Sequence, residues 1–321
     1  MLAQQCIIYE TARAMARLSV VTTLYQSESY IDEFYVRTLS TLLRITNDYE
    51  IIFVNDGSTD NSLNRAVRII DRDDKVSVIE LSRNFGHHQA ILAGLEHASG
   101  DYIWLIDSDL EESPEWLSEF YDEIIADNRL DVIYGVQRKR KGDFFEAFAG
   151  TMQYNLLDLL LPFKYPRDAT TSRLMSYDYV KALTKYTECS APIFGLMTLA
   201  GFNQKIKYVN KISISPSTYS FIAKLRMVGR TITSFSSWPL FAVFYVGILC
   251  MAIGIVGIFL IFINALSYGS APGWTSIMTS IWLLGGLNLS AIGIVGIYLQ
   301  KVYIQTKNRP RFIIRHIHQR N

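Results

Sequence analysis

Glu50-Ile51-Ile52-Phe53-Val54-Asn55-Asp56-Gly57-Ser58-Thr59-Asp60-Asn61-Ser62 decides the fold. Four consecutive apolar residues, Ile51 to Val54, read as a strand buried on both faces. Asp56-Gly57 is a tight turn, and Ser58 or Asp60 can cap the helix that follows. Strand, turn and helix start within thirteen residues, and the same unit recurs on either side. Strands are expected at Leu18–Thr23, Glu50–Asn55, Val76–Leu81, Tyr102–Ile106 and Val132–Gly135. Helices are expected at Ile31–Arg44, Ser62–Ile70, His87–Ala98 and Glu115–Ala126. This alternation predicts an α/β domain with a mostly parallel, Rossmann-like sheet covered on both faces. Ligands in such sheets bind beyond the carboxyl ends of the strands.

Three polar segments fall at those ends. In the first, Asp56 offers a carboxylate to a base or ribose, although a capped turn alone also explains D-G-S-T-D. The second, Ser82 to Gln89, opens a helix with His87 and His88. Adjacent residues do not share a helix face, so this pair makes a poor chelate. The third follows the fourth strand, Asp107-Ser108-Asp109-Leu110-Glu111-Glu112. Four carboxylates within six residues repel one another unless something neutralises them. Mg²⁺ or Mn²⁺ with a diphosphate would do so, because such ions take one or two carboxylates and fill their shell with phosphate and water oxygens. Helix capping ahead of Pro114 is the plainer explanation of the same acids.

Composition locates a second part. The 321 residues carry 50% hydrophobic and 19% charged side chains, with a formal charge of +1. Mean hydropathy is +0.15, high for a purely soluble enzyme, and nothing global suggests a nucleic-acid binder. Cys6, Cys189 and Cys250 are odd in number and widely spaced, so neither a disulfide framework nor a zinc site is expected. The apolar surplus lies near the C-terminus, in the uncharged runs Pro239 to Ala265 and Ile277 to Leu299. A core of about 24 residues makes a helix of about 36 Å, enough for a bilayer core of about 30 Å. The expectation is a two-helix transmembrane hairpin joined by Ser267 to Thr275.

Lys224, Arg226 and Arg230 precede the first run, and Lys301, Lys307, Arg309, Arg311, Arg315 and Arg320 follow the second. The connector has no Lys or Arg, so both termini are expected in the cytosol, and no cleavable signal is visible in residues 1–17. The tail cations, with Tyr303 and Phe312, are expected at the lipid headgroups. Asp143 to Leu161 and Phe221 to Ser237 read as helices lying at the same surface.

These features together resemble family 2 glycosyltransferases of the GT-A fold. The narrower resemblance is to polyisoprenyl-phosphate glycosyltransferases, such as dolichol-phosphate mannose synthase and bacterial undecaprenyl-phosphate glucosyltransferases. It rests on Val54–Asp60, Ser82-Arg83-Asn84-Phe85-Gly86, Ala93-Gly94-Leu95, Gly100-Asp101, Asp107–Pro114 and Arg173-Leu174-Met175. Farther on it rests on Thr233-Ser234-Phe235-Ser236 before the first apolar run, and on Tyr303 to Pro310 after the second.

The resemblance implies nucleotide contacts at Thr22, Leu24, Gln26, Asp56, Asn84 and Asp107. It also implies a metal-held diphosphate at Asp107, Asp109 and Glu111, where the family usually has Gln at the last position. Arg138, with Arg140 and Arg173, would meet an acceptor phosphate; the catalytic set is Asp107, Asp109 and Arg138. The organisation implied is an extension at 1–17, a GT-A domain at 18–220, a juxtamembrane helix at 221–238, two transmembrane helices at 239–299 and a basic cytosolic tail at 300–321. The activity implied is inverting transfer from a nucleotide-sugar, such as UDP-glucose, to undecaprenyl phosphate for cell-surface glycan modification. Identical copies assembling together remain open.

Departures cluster near the donor sugar and acceptor. Thr22, Leu24, Tyr25 and Gln26 stand where the family has Pro-x-Tyr/Phe-Asn-Glu, leaving Glu28 as the nearest substitute carboxylate. Thr171 replaces an acidic residue, and Thr218 stands in a stretch that has lost a Lys. Two rivals stay open: a hydroxyl-directed or processive polysaccharide synthase, and a degenerate nucleotide-binding scaffold.

Overall fold

A computed structural model describes residues 16–138, 154–188, 191–212, 221–249 and 273–320, with single positions 252, 256 and 263 between the last two ranges. Eight strands form one sheet in the order β7-β5-β6-β4-β1-β2-β3-β8. They are β1 (Leu18–Leu24), β2 (Tyr49–Asn55), β3 (Val76–Leu81), β4 (Tyr102–Leu105), β5 (Val132–Gln137), β6 (Ala169–Ser176), β7 (Gln204–Val209) and β8 (Ile314–His318). The five expected strands and four expected helices are all present, with ends that differ by at most two residues. The helices are α1 (Ile31–Leu42), α2 (Ser62–Ile70), α3 (His87–His97) and α4 (Trp116–Ala126).

Both faces of the sheet are covered. Phe34 and Leu42 of α1, Ile69 of α2 and Phe120 of α4 pack on one side. Ala90 to Leu95 of α3 cover the other, joined by α5 (Tyr177–Leu183) and α6 (Ile193–Leu199). A Cβ on Gly94 would lie 2.4 Å from Val21, so only glycine lets α3 settle this closely on β1. Each large side chain buried in these layers contributes roughly 1.5–3 kcal/mol before entropy is counted.

The register brings the carboxyl ends together. Leu24 of β1 pairs with Asn55 of β2, and Val21 pairs with Leu105 of β4, all parallel. β6 runs antiparallel between β4 and β5, with Leu105 opposite Arg173. Continuing that register by two residues sets Thr171 opposite Asp107. The sheet is therefore mixed rather than simply parallel, with β6 and β8 the reversed strands.

The C-terminal part differs most from expectation. α7 (Phe221–Phe235) packs Val228, Ile232 and Phe235 against Leu157, Leu161 and Phe163. The Phe235 ring also fills the space above Gly195 of α6, where a Cβ would lie 2.3 Å from it. The chain then bends by 87° into α8 (Trp238–Leu249), so T-S-F-S is a corner. The rest of the first expected span and most of the connector lie outside the described residues. α9 (Trp274–Thr306) is a single helix of 33 residues. At 1.5 Å of rise per residue it is about 50 Å long. Within it Leu284–Thr306 is long and apolar enough to cross a membrane, with none of its most apolar window buried. One such helix, not a complete hairpin, is what the described residues contain.

The tail returns to the sheet. β8 pairs antiparallel with β3, and Phe312 packs on the α3 side of the core rather than standing at a lipid surface. Arg315 and His318 both reach Glu80 of β3, at 3.1 and 3.3 Å. Residues 300–320 thus include the end of a helix and an edge strand. The short alternation I-R-H-I-H gives a weak strand signal beside so many cations.

Candidate active site

Asp56 is buried, and its carboxylate accepts from the Phe85 and Gly86 amides at 2.7 and 3.0 Å. Burial pushes this carboxyl up, and the two amides oppose the change. Gly57 follows with φ 64°, and a Cβ there would stand 2.5 Å from the Asn84 nitrogen. The D-G-S turn is therefore packed directly on the R-N-F-G loop. Ser58 ties in β1 by donating to the Leu24 carbonyl, and its Oγ accepts from the Gln26 amide. Gln26 has φ 53°, a left-handed conformation unusual for a non-glycine residue.

The acidic loop lies at the end of β4. Thr171 Oγ1 donates to Asp107 at 2.7 Å, across the register already described. On its other side Asp107 meets His87 Nε2 at 3.6 Å, and His87 Nδ1 is 3.1 Å from Thr23 Oγ1. His87 directly follows Gly86, whose amide holds Asp56, so this ring stands between the two acidic turns. Asp109 accepts from the Glu111 amide, and Leu110 between them has φ 61°. Burial, then the charge of Asp107, push the Asp109 carboxyl up.

The neighbouring acids have other partners. Glu112 is fully buried and accepts from the Thr171 and Ser172 amides at 3.0 and 2.7 Å. Burial and then Asp107 push it up to about 7, with Lys211 opposing. Lys211 lies 3.0 Å from Glu111 and 3.6 Å from Glu112. Its own burial works to lower its pKa, but the Glu112 and Glu111 carboxylates outweigh that and hold it up.

Two carboxylates, Asp107 and Asp109, remain without a Lys or Arg ion pair among the described residues. Burial and mutual repulsion raise Asp109, which is the electrostatic state a divalent cation relieves. Among the described residues no three His, Cys, Asp or Glu side chains form a closed cage. The donor set fits Mg²⁺ or Mn²⁺ sharing its shell with phosphate oxygens.

Several expected site residues stand elsewhere. The Glu111 carboxylate lies 3.0 Å from Lys211, while its amide donates to Asp109. Thr22 and Leu24 are fully buried, so only their main chain is near the edge, and the Leu24 carbonyl already accepts from Ser58. Glu28, the nearest substitute carboxylate, accepts from the Asn61 amide. Asn84 is exposed on the loop packed over Gly57. Arg173 is 3% exposed, with its guanidinium donating to the Thr170 and Thr171 carbonyls. It stiffens β6 from inside and does not face an acceptor. Arg138 is exposed at the end of β5, its amide bonded to the Val209 carbonyl. Arg140, Thr218 and most of the helix expected at Asp143 to Leu161 lie outside the described residues.

Sequence reading undervalued His87, Glu112 and Lys211. His87 stood in view at a helix start after β3, whereas the Lys211 contact joins residues about a hundred apart and leaves no local trace.

A Mycobacterium tuberculosis chain named for glycosyltransferases is 44% identical over 307 residues, 94% of this chain and 88% of that one. A bactoprenol glucosyl transferase of Shigella flexneri prophage origin is 29% identical over 310 residues, covering 95% and 99%. Among solved structures, glucosyl-3-phosphoglycerate synthase of M. tuberculosis with uridine diphosphate shares 20% identity at a TM-score of 0.47, over 70% of this chain and 80% of that one. The family model described as Glycosyl transferase family 2 matches residues 19–184. That match runs from β1 through α5 and takes in every element that carries Asp56, His87, Asp107, Asp109 and Thr171; the chain belongs to glycosyl transferase family 2.

Proposed function

We propose that this enzyme transfers a sugar from a nucleotide-sugar, such as a UDP-sugar, to a polyprenyl phosphate at a membrane surface. The observation that carries this reading is the Asp107–Asp109 pair on the carboxyl edge, in a chain aligned almost end to end with a bactoprenol glucosyl transferase. Asp56 and the turn over Gly57 hold the nucleoside. Asp107 is fixed by Thr171 and His87, and Asp109 by the backbone turn at Leu110, so both carboxylates are set before a diphosphate arrives. Asp107 and Asp109 would hold a divalent cation, which would neutralise charge on the departing diphosphate.

An acceptor phosphate is already anionic at neutral pH and needs no base to remove a proton. Thr171, at a position where the resemblance implies a carboxylate, supports Asp107 and adds no negative charge against that acceptor. Arg138 and the basic segment after it are assigned to the acceptor phosphate. Its oxygen bonds to the anomeric carbon as the bond to the nucleoside diphosphate breaks, inverting that carbon. An α-linked donor then gives a β-linked lipid phosphate.

α9 supports the membrane side of the reading. Ile281, Leu289, Ile292 and Leu299 are 57%, 72%, 67% and 65% exposed. So long a run of bare apolar side chains is one that a helix in water would not tolerate. With the basic residues before α8 and after α9, this favours a site on the cytosolic face. Incubation with radiolabelled UDP-glucose, undecaprenyl phosphate and Mg²⁺ or Mn²⁺ should give labelled lipid. Labelled polymer, or no product across a panel of nucleotide-sugars, would overturn the proposal.

A further inference from the structure

Where α9 ends, a cavity of about 310 Å³ opens between the chain leaving the helix and the Arg83–Gln89 segment. Arg83, Lys307, Arg309 and Arg311 line it with Phe85 and Tyr303, and among the described residues no acidic side chain does. The Arg83 guanidinium lies 3.9 Å over the Phe85 ring, and Lys307 Nζ lies 4.2 Å over the Tyr303 ring. Arg311 is the anchored wall, donating to the Tyr186 and Thr184 carbonyls and pairing with Glu96. Two cations on aromatic faces thus stand beside a third that is fixed. This is a receptor for a compact anion with an apolar neighbour.

We propose that this cavity binds the phosphate of an anionic phospholipid headgroup, as a site separate from that of the acceptor. It rests on α9 crossing the bilayer, which sets Tyr303 and Lys307 at the depth where aromatic and cationic anchors meet headgroups. Asp107, Asp109 and Arg138 do not line it, so a phosphate seated here is not placed to attack the donor. The site also touches the catalytic turn. Arg83 and Phe85 belong to the loop whose amides hold Asp56, and that loop packs on Gly57. A bound headgroup therefore steadies the nucleotide turn, and donor affinity rises in anionic membranes.

The test uses the full chain in detergent and in phosphatidylcholine vesicles with or without phosphatidylglycerol. Native mass spectrometry should show one saturable phosphatidylglycerol and no retained phosphatidylcholine. Lys307→Gln and Arg83→Gln should each weaken retention about fivefold, while Lys307→Arg restores it. Inorganic phosphate should compete only at far higher concentration. Equal retention by wild type and Lys307→Gln at matched melting temperature overturns the proposal. So does displacement of phosphatidylglycerol by stoichiometric undecaprenyl phosphate, which would make this the acceptor's own seat. Failure of the wild type to float with vesicles of any composition would instead sink the membrane reading beneath it.

Discussion

Gly57 has two reasons to be glycine: a left-handed φ, and a neighbouring backbone 2.5 Å from any added Cβ. Gly57→Ala should destabilise the domain by about 1–3 kcal/mol and weaken nucleotide binding, because the R-N-F-G loop must move and takes the amides on Asp56 with it. Thermal melting and UDP titration read the two effects separately. Asp109→Asn should cut turnover at least about a hundredfold with little change in melting temperature. The residue's raised pKa shows a charge poorly compensated by the fold itself. Near-normal turnover by that variant would refute its place at the diphosphate. His88 makes a third case. Burial first, then His87 and Arg230, push its imidazole down to about 4, and its ring meets Phe194 edge-on. The folded protein keeps it neutral, so stability is full above about 6.5 and declines as pH falls from there towards about 4. His88→Phe should flatten that decline by roughly 1–3 kcal/mol, seen as a smaller difference between melting at pH 7.5 and pH 5.

Among the elements, β8 is an edge strand supplied from beyond α9. Ending the chain before Ile314 should lower the melting temperature by several degrees and leave the β3 edge open to aggregation, checked by calorimetry and light scattering. β1 to β5 were legible because apolar runs bounded by turn residues carry their own signal. β6 was not: A-T-T-S-R-L-M-S is half polar, and its Ser172 and Arg173 are buried only because two strands flank them. The acids of the β4 loop were legible as a cluster, yet their division of labour was not. Which carboxylate meets Lys211 and which meets Thr171 depends on a register between β4 and β6 that no local pattern encodes.

At the scale of the molecule, the apolar segment is an excursion from the sheet. Tyr298 donates to the Ser236 carbonyl at 2.6 Å, and Lys301 reaches Ser234 at 2.9 Å, so the chain leaves and re-enters at one place. Cutting at residue 220 removes β8 along with the apolar segment and confounds the two. Replacing 239–297 by a short polar linker keeps β8. That variant should bind UDP as the full chain does and lose most turnover of long-chain lipid acceptor; undiminished turnover in detergent-free buffer would count against the role given to α9.

The order of the strands along the chain has a consequence for biosynthesis. A ribosome delivers β8 only after both apolar stretches have emerged, so β3 waits with one side uncovered until residues 314–318 have been made. Until that closing strand docks, β3 offers a row of unpaired amides and carbonyls that another nascent copy could capture, so the sheet is at its most vulnerable late in synthesis.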